Sequence, residues 1–421
     1  MMKKVVIFSG LLVLGMVGSQ LLPNMLGSTY ASLSHVIRLL TMAALAFIMI
    51  HVGYEFDINK REMRRYGWDY IVAMTAAAFP WVFVCFYFIF VMFPHEAWGS
   101  WQAWKESLLA SRFAAPTSAG VLFAMLAAAG LSATWLFRKA RILAIFDDLD
   151  TVLLMIPLKM LMVGLAWQLG IIVVFMAALL WLAWRYLHQW AIPMTWPWVI
   201  GYASVIAGAS ELIYVTSKVI DDTVPIHIEV LLPAFILGCL LHRPTGHAPH
   251  VDDAREGHQE GLESAQEQRV ATWVASVFMV LVGLSMPALF GNMAGAGVES
   301  NATISASQAM PSWGVIALHV LVLIAISNLG KMFPLLCYRK EAHWRERLAL
   351  AIGLWPRGEV GAGVLILSLS YGIGGPMVTV AMLCLALNLV LTGAFILIVK
   401  RLVGVEALDR VTPMSKALQA S

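Results

Sequence analysis

Apolar residues in this chain gather into runs of about 20, long enough for a helix rising 1.5 Å per residue to cross the hydrocarbon core of a bilayer. About twelve such spans are predicted, over residues 4–22, 33–54, 68–93, 106–130, 140–165, 168–188, 196–216, 226–243, 269–290, 313–338, 345–372 and 375–400. The opening, MMKKVVIFSGLLVLGMVGS, imitates a signal peptide with its basic end, apolar run and small residues, and is read as a retained first span. The pattern predicts an all-α polytopic membrane protein. It comprises an N-terminal membrane half (1–243), a polar loop (244–268), C-terminal membrane helices (269–400) and a short cytoplasmic tail (401–421).

Two spans are interrupted. Span four contains Ala115-Pro116-Thr117-Ser118, and span eleven contains Trp355-Pro356-Arg357-Gly358-Glu359-Val360-Gly361-Ala362-Gly363. Proline removes a backbone donor and bends a helix, and irregular backbone at membrane depth is tolerated only where it is buried or lines a cavity. If spans 1–5 and 8–12 are two five-helix repeats, span four corresponds to span eleven and the two run in opposite directions, as inverted repeats require. Broken helices at matching places in two halves point to a transporter's binding site.

Basic residues sort to one side. Lys60, Arg61, Arg64 and Arg65 follow span two, Arg138, Lys139 and Arg141 follow span four, and Arg185 follows span six. Arg243 and Arg255 follow span eight, and Arg339, Lys340, Arg345 and Arg347 follow span ten. Lys3 and Lys4 precede the first span, and Lys400 and Arg401 close the last. All fall inside if both termini are cytoplasmic, while the opposite loops hold chiefly Lys105 and Lys218. The expected location is therefore the cell's inner (plasma) membrane.

Composition agrees with this reading: 60% apolar and 13% charged residues, with a mean hydropathy of +0.79. A net charge of +3 without a basic stripe offers nothing to nucleic acid. Cys85, Cys239, Cys337 and Cys384 lie in apolar stretches without metal or redox spacing and are read as buried packing residues. There is no P-loop, nucleophile elbow or metal-ligand cluster, so neither an enzyme nor a resident cofactor is expected. His242, His247, His250 and His258, four of eleven histidines, fall in or beside the polar loop; they are most simply part of a solvated linker, with pH sensing as the alternative. Asn301-Ala302-Thr303 is a glycosylation pattern with meaning only in a eukaryotic secretory route.

The charges inside the spans carry the chemistry. Asp147, Asp148 and Asp150 stand in the middle of span five, where each carboxylate costs about 2.5–3.5 kcal/mol on insertion scales. On a helix Asp150 lies about 60° from Asp147 and about 200° from Asp148, so the acids must meet water or opposite charge on more than one side. Acids in a wet pocket at membrane depth bind a cation or protons, but not both at once. Glu55, Asp57, Glu211 and Glu229 lie within the membrane or near its edge, each suited to pairing with a neighbour or lining an entry path.

Phe146-Asp147-Asp148, Pro356-Arg357-Gly358-Glu359-Val360-Gly361, Thr117-Ser118, Gly53-Tyr54-Glu55-Phe56-Asp57 and the run Phe278 to Ser285 together resemble the sodium/proton antiporters of the cation:proton antiporter superfamily, particularly its second branch. The resemblance implies an NhaA/NapA-like fold with crossed discontinuous helices, a homodimer, and a core bundle of spans 3–5 and 10–12 moving against the other helices. It implies that Asp148 binds proton and Na+ in turn, with oxygens of Thr117 and Ser118 as further ligands, and that Asp147 pairs releasably with Lys331. Arg357 and Glu359 are expected to be structural. Asp150, where the family more often has an apolar residue, could add a ligand, alter cation preference or bind Arg357 or Lys159; helix geometry makes Lys331 its first candidate partner, and it is expected to tune the Asp147–Lys331 pair. Li+ as a second substrate, K+/H+ exchange or K+ efflux on the same scaffold, and a non-transporting sensor remain as alternatives.

Overall fold

The computed structural model describes residues 2–27, 29–54, 63–163, 167–187, 189–190, 192–220, 230–241, 265–286 and 303–419. Among the described residues the chain is helical, with one isolated bridge between Trp190 and Leu241 and no strand. The order is α1 Met2–Leu26, α2 Thr29–Tyr54, α3 Met63–Tyr87 running into a π-turn at Phe88–Met92, α4 Trp101–Ser111, α5 Ala119–Ala128 and α6 Trp135–Val163. Then follow α7 Trp167–Arg185, α8 Trp196–Ile220, α9 Leu231–Leu240, α10 Ala265–Leu284 and α11 Trp313–Gly330. The last are α12 Phe333–Leu336, α13 Trp344–Gly353, α14 Glu359–Ser370 and α15 Gly375–Gln419.

Every predicted span contains helix, but only seven stretches of the described residues are both long and apolar enough to cross a membrane. The difference has physical causes. α6 carries Arg138, Lys139, Arg141, Asp147, Asp148, Asp150 and Lys159, too many charges for an apolar window. The break at 354–358 leaves α14 short, and α9 and α10 are short apolar helices. The final helix runs on to Gln419, well past the predicted end at 400. All four cysteines are free and buried.

The chain divides into two compact units. The second comprises Leu14–Met63 and Val152–Ser285. In it α2 packs on α8, α9 and α10. Arg38 of α2 pairs with Glu211 of α8 and lies 4.7 Å from the ring centroid of Tyr214. Glu211 therefore has a structural partner that the sequence did not single out.

The first unit gathers Met1–Val13, Arg64–Thr151 and Met286–Ser421. Its buried polar groups are paired across long sequence distances. The Lys139 ammonium lies 3.0 and 3.2 Å from the two Asp69 oxygens, 3.2 Å from Glu341 Oε2 and 4.4 Å from the Tyr338 ring centroid. Tyr338, at a left-handed φ of 55°, donates its hydroxyl to Asp69 at 2.7 Å. Glu106, fully buried, accepts the backbone N–H groups of Ile304 and Ser305 at 3.1 and 2.9 Å, holding the segment before α11. Such pairs are required because a buried charge without partners is expelled or neutralised.

At the end of α11, Gly330 touches the proline kink of α3: a Cβ there would fall 2.6 Å from Pro80 N and 2.9 Å from Pro80 Cα. That contact is backbone on backbone, so a methyl group must push the helices apart, and the next residue is Lys331. Gly330→Ala is expected to destabilise the protein by about 1–3 kcal/mol, the usual cost of overpacking. The measurement is the thermal midpoint of detergent-purified protein, and an unchanged midpoint would contradict the close approach.

Candidate functional site

The two interruptions meet inside the first unit. After α4 the chain makes a 3-10 turn, Arg112–Ala114, and then leaves helical geometry through 115–118 before α5 begins. The second leaves α13 at Leu354 and re-enters helix at Glu359. Pro116 and Pro356 sit in these gaps, each lacking the N–H that would continue a helix. The gaps are joined directly: Ser118 N–H donates to Pro356 O at 2.9 Å, and Thr117 Oγ1 donates to Leu354 O at 3.1 Å. Where α14 passes Phe113, a Cβ on Gly361 would lie 3.0 Å from that residue's carbonyl oxygen.

A broken helix exposes orphan carbonyls at one cut end and orphan amides at the other. Here Arg357 serves the carbonyls. Its Nε donates to Ala114 O at 2.9 Å, Nη2 to Ser327 O at 2.9 Å, and Nη1 to Asn328 Oδ1 at 2.7 Å. Asn388 accepts the Arg357 backbone N–H at 3.2 Å and donates to Asn328 Oδ1 at 3.2 Å. All three side chains are buried, and a planar fork of donors is what such a multi-point contact needs. Positive charge at a helix C-terminal end is also favourable.

Asp147 serves an amide within the gap. Its Oδ2 accepts the Thr117 N–H at 2.8 Å, just before α5 begins, and accepts from Lys331 Nζ at 2.8 Å. Lys331, fully buried at the end of α11, also donates to Thr117 Oγ1 at 3.0 Å. One ammonium thus holds both oxygens. Asp148 and Ser118 are buried beside this cluster in sequence, at 7% and 1% exposure. Asp150 turns to a different cation: Arg112 Nη2 lies 3.5 Å from its Oδ2 and donates to its backbone carbonyl at 3.2 Å.

The structure brings Thr117, Asp147 and Lys331 together, and the ion-pair partner of Asp150 is Arg112 rather than Lys331. Helix periodicity gives the face of Asp150 but not what the crossing lays against that face. The signal for Arg112 was present, since it is a lone basic residue inside an apolar span, five residues before Thr117. Asn328 and Asn388 carried no comparable mark. Glu55, Asp57, Glu229, the His242–His258 segment, Asn301 and the side chain of Glu359 lie outside the described residues. Among the described residues no three His, Cys, Asp or Glu side chains converge as a metal site.

A model of the sodium/hydrogen exchanger transmembrane region matches residues 3–401. The chain belongs to this family. No curated protein sequence matches it closely. Its fold is similar to that of the sodium proton antiporter MjNhaP1 from Methanocaldococcus jannaschii at pH 8, with a TM-score of 0.51 and 14% identity over 92% of each chain. As a sodium/hydrogen exchanger family member it is a multi-pass membrane transporter rather than an enzyme, and such antiporters need no cofactor because the ions are the substrates.

For this exchanger-family chain, Arg357→Gln is expected to cost stability before anything else. A glutamine amide can replace at most part of the fork, leaving buried carbonyls unpaired, and each hydrogen bond to a charged group contributes about 1.5–3 kcal/mol. The thermal midpoint of the purified variant should fall well below the parent's, with Arg357→Lys intermediate because a point charge cannot fork. Parent-like midpoints for both would show that the fork does not hold the crossing.

Proposed function

We propose that this protein exchanges Na+, with Li+ as a second candidate, for protons across the membrane by alternating access, and that the exchange moves net charge. The observation that carries the reading is that Lys331 occupies oxygens a cation would want. Thr117 Oγ1 and Asp147 Oδ2 both accept from its ammonium, and hard cations choose oxygen ligands of this kind. A dehydrated Na+ entering beside Asp148, Thr117 and Ser118 must therefore compete with Lys331 for the pocket. Asp148 is the shared site: protonated in one half of the cycle, cation-bound in the other. Lys331, once displaced from Asp147, is the second group able to give up a proton, because a desolvated ammonium beside a new positive charge holds its proton less firmly.

The finer architecture follows the same reading. We take spans 1–5 and 8–12 as inverted repeats of an NhaA/NapA-like fold in a homodimer of the inner membrane with cytoplasmic termini. The junction of two interrupted helices at matching places supports the repeats, and the placement of basic residues supports the orientation. The moving bundle is spans 3–5 and 10–12; the first unit holds spans three, four and ten to twelve and span five as far as Thr151, together with the start of span one.

Asp148→Asn is expected to abolish exchange while leaving the protein folded in the membrane. Purified variant in proteoliposomes that still drives proton movement with Na+ would remove Asp148 from the mechanism. Side-by-side Na+, Li+ and K+ gradients on the parent protein decide the cation.

Lys331→Gln tests the charge movement. The parent's rate should respond to a potential imposed across the liposome, and the variant should lose most of that response. Transport by the parent that ignores voltage would count against Lys331 as a proton carrier, though not against exchange.

A further inference from the structure

Asp147 and Asp150 stand one helical turn apart on α6, and they grip the two ends of the same interruption. Asp147 holds Thr117, where the chain re-enters helix, and Asp150 holds Arg112, where it leaves. The two acids also differ in the cation each has been given. Asp147 has Lys331, a point charge that burial can deprotonate, while Asp150 has Arg112, whose guanidinium stays charged in proteins. Arg112 is fully buried, its guanidinium carbon is 4.9 Å from the Trp81 ring centroid, and its Nε and Nη1 have no hydrogen-bond partner among the described residues. Its placement thus rests on Asp150 and Trp81.

We propose that Arg112 is a positioning residue of the exchange site, a fixed cation that keeps the Asp150 carboxylate from competing with Asp147 for Lys331. This rests on the reading of Lys331 as a releasable partner of Asp147. Lys331 can cycle only if a single carboxylate holds it. A second free carboxylate on the same face of α6 would keep the ammonium charged and in place, and the pocket would not open to Na+. Arg112 cancels that carboxylate without adding a group that can lose a proton. The charged and titratable groups that face Lys331 and Asp150 are Asp147 and Arg112, Arg357 from the second interruption and Tyr70 of α3, with Asp148 next along α6.

The consequence is a pair of opposite signs. In Arg112→Gln an uncompensated negative charge stands near Lys331, so its proton is held more tightly and half-maximal exchange moves to higher pH. In Asp150→Asn an uncompensated positive charge stands there instead, and half-maximal exchange moves to lower pH. The double variant replaces a neutral pair with a neutral pair and returns toward the parent. Shifts of about one pH unit, a tenfold change in proton affinity, are expected for the single variants.

The experiment is Na+-driven proton movement in proteoliposomes across a pH series, for parent, both singles and the double. If Arg112→Gln does not accumulate in the membrane, Asp150→Asn against the double variant carries the same comparison. Opposite shifts that cancel in the double support the proposal, as does return of the Asp150→Asn profile to the parent's on adding Arg112→Gln. Profiles that superimpose on the parent's, or that change only in maximal rate, would overturn it and leave Arg112 a packing residue. A parent without Na+-driven proton movement at any pH would instead overturn the functional reading itself.

Discussion

A helix cut inside a membrane leaves backbone amides and carbonyls that water cannot reach, and the first unit is organised around meeting that need twice in one place. Each unsatisfied group would cost several kcal/mol in hydrocarbon, so two breaks are tolerable only if they supply one another or recruit side chains. They do both. Ser118 N–H reaches Pro356 O across the junction, Arg357 covers the carbonyl end of one break, and Asp147 accepts the Thr117 N–H inside that break. The groups that solve the backbone problem are charged, and this puts ionisable chemistry at the junction.

In the proposed exchange, the same economy lets a structural contact double as a working one. Asp147 accepts the Thr117 N–H just ahead of α5, and its second partner, Lys331, is held by contacts of the kind a small cation makes. Arg357, by contrast, is spread over Ala114, Ser327 and Asn328, and no single ion replaces three directional bonds. In the proposed exchange, the cation that leaves and the one that stays therefore differ in how many bonds each makes and in what geometry.

Away from the junction, the first unit is tied by buried polar pairs that join distant stretches of chain. Asp69, Lys139 and Tyr338 link α3, α6 and the turn after α12, and Glu106 links α4 to the segment preceding α11. In a bilayer, apolar contact between helices has little solvent-driven advantage, so close backbone approaches such as Gly330 on Pro80 and hydrogen-bonded pairs define the packing. A unit built this way holds its helices in one arrangement, as a site needing sub-ångström placement of donors requires.

The sequence by itself determined what depends on composition and local chemistry. Runs of about 20 apolar residues located helix in every predicted span, and the two Pro/Gly-rich interruptions were legible because proline cannot continue a helix wherever it lies. The family resemblance carried by the motifs set Asp147 against Lys331 as an expectation, with Thr117 and Ser118 beside Asp148. The sequence did not reveal the partners of Asp150 and Glu211. Arg112 is separated from Asp150 by 38 residues, and Arg38 from Glu211 by 173. Such pairings depend on where helices cross, which is settled by backbone approaches and packing between segments far apart in the chain. Helix periodicity could set the direction of Asp150, but only the crossing of the broken helices decided that Arg112, and not Lys331, would stand in front of it.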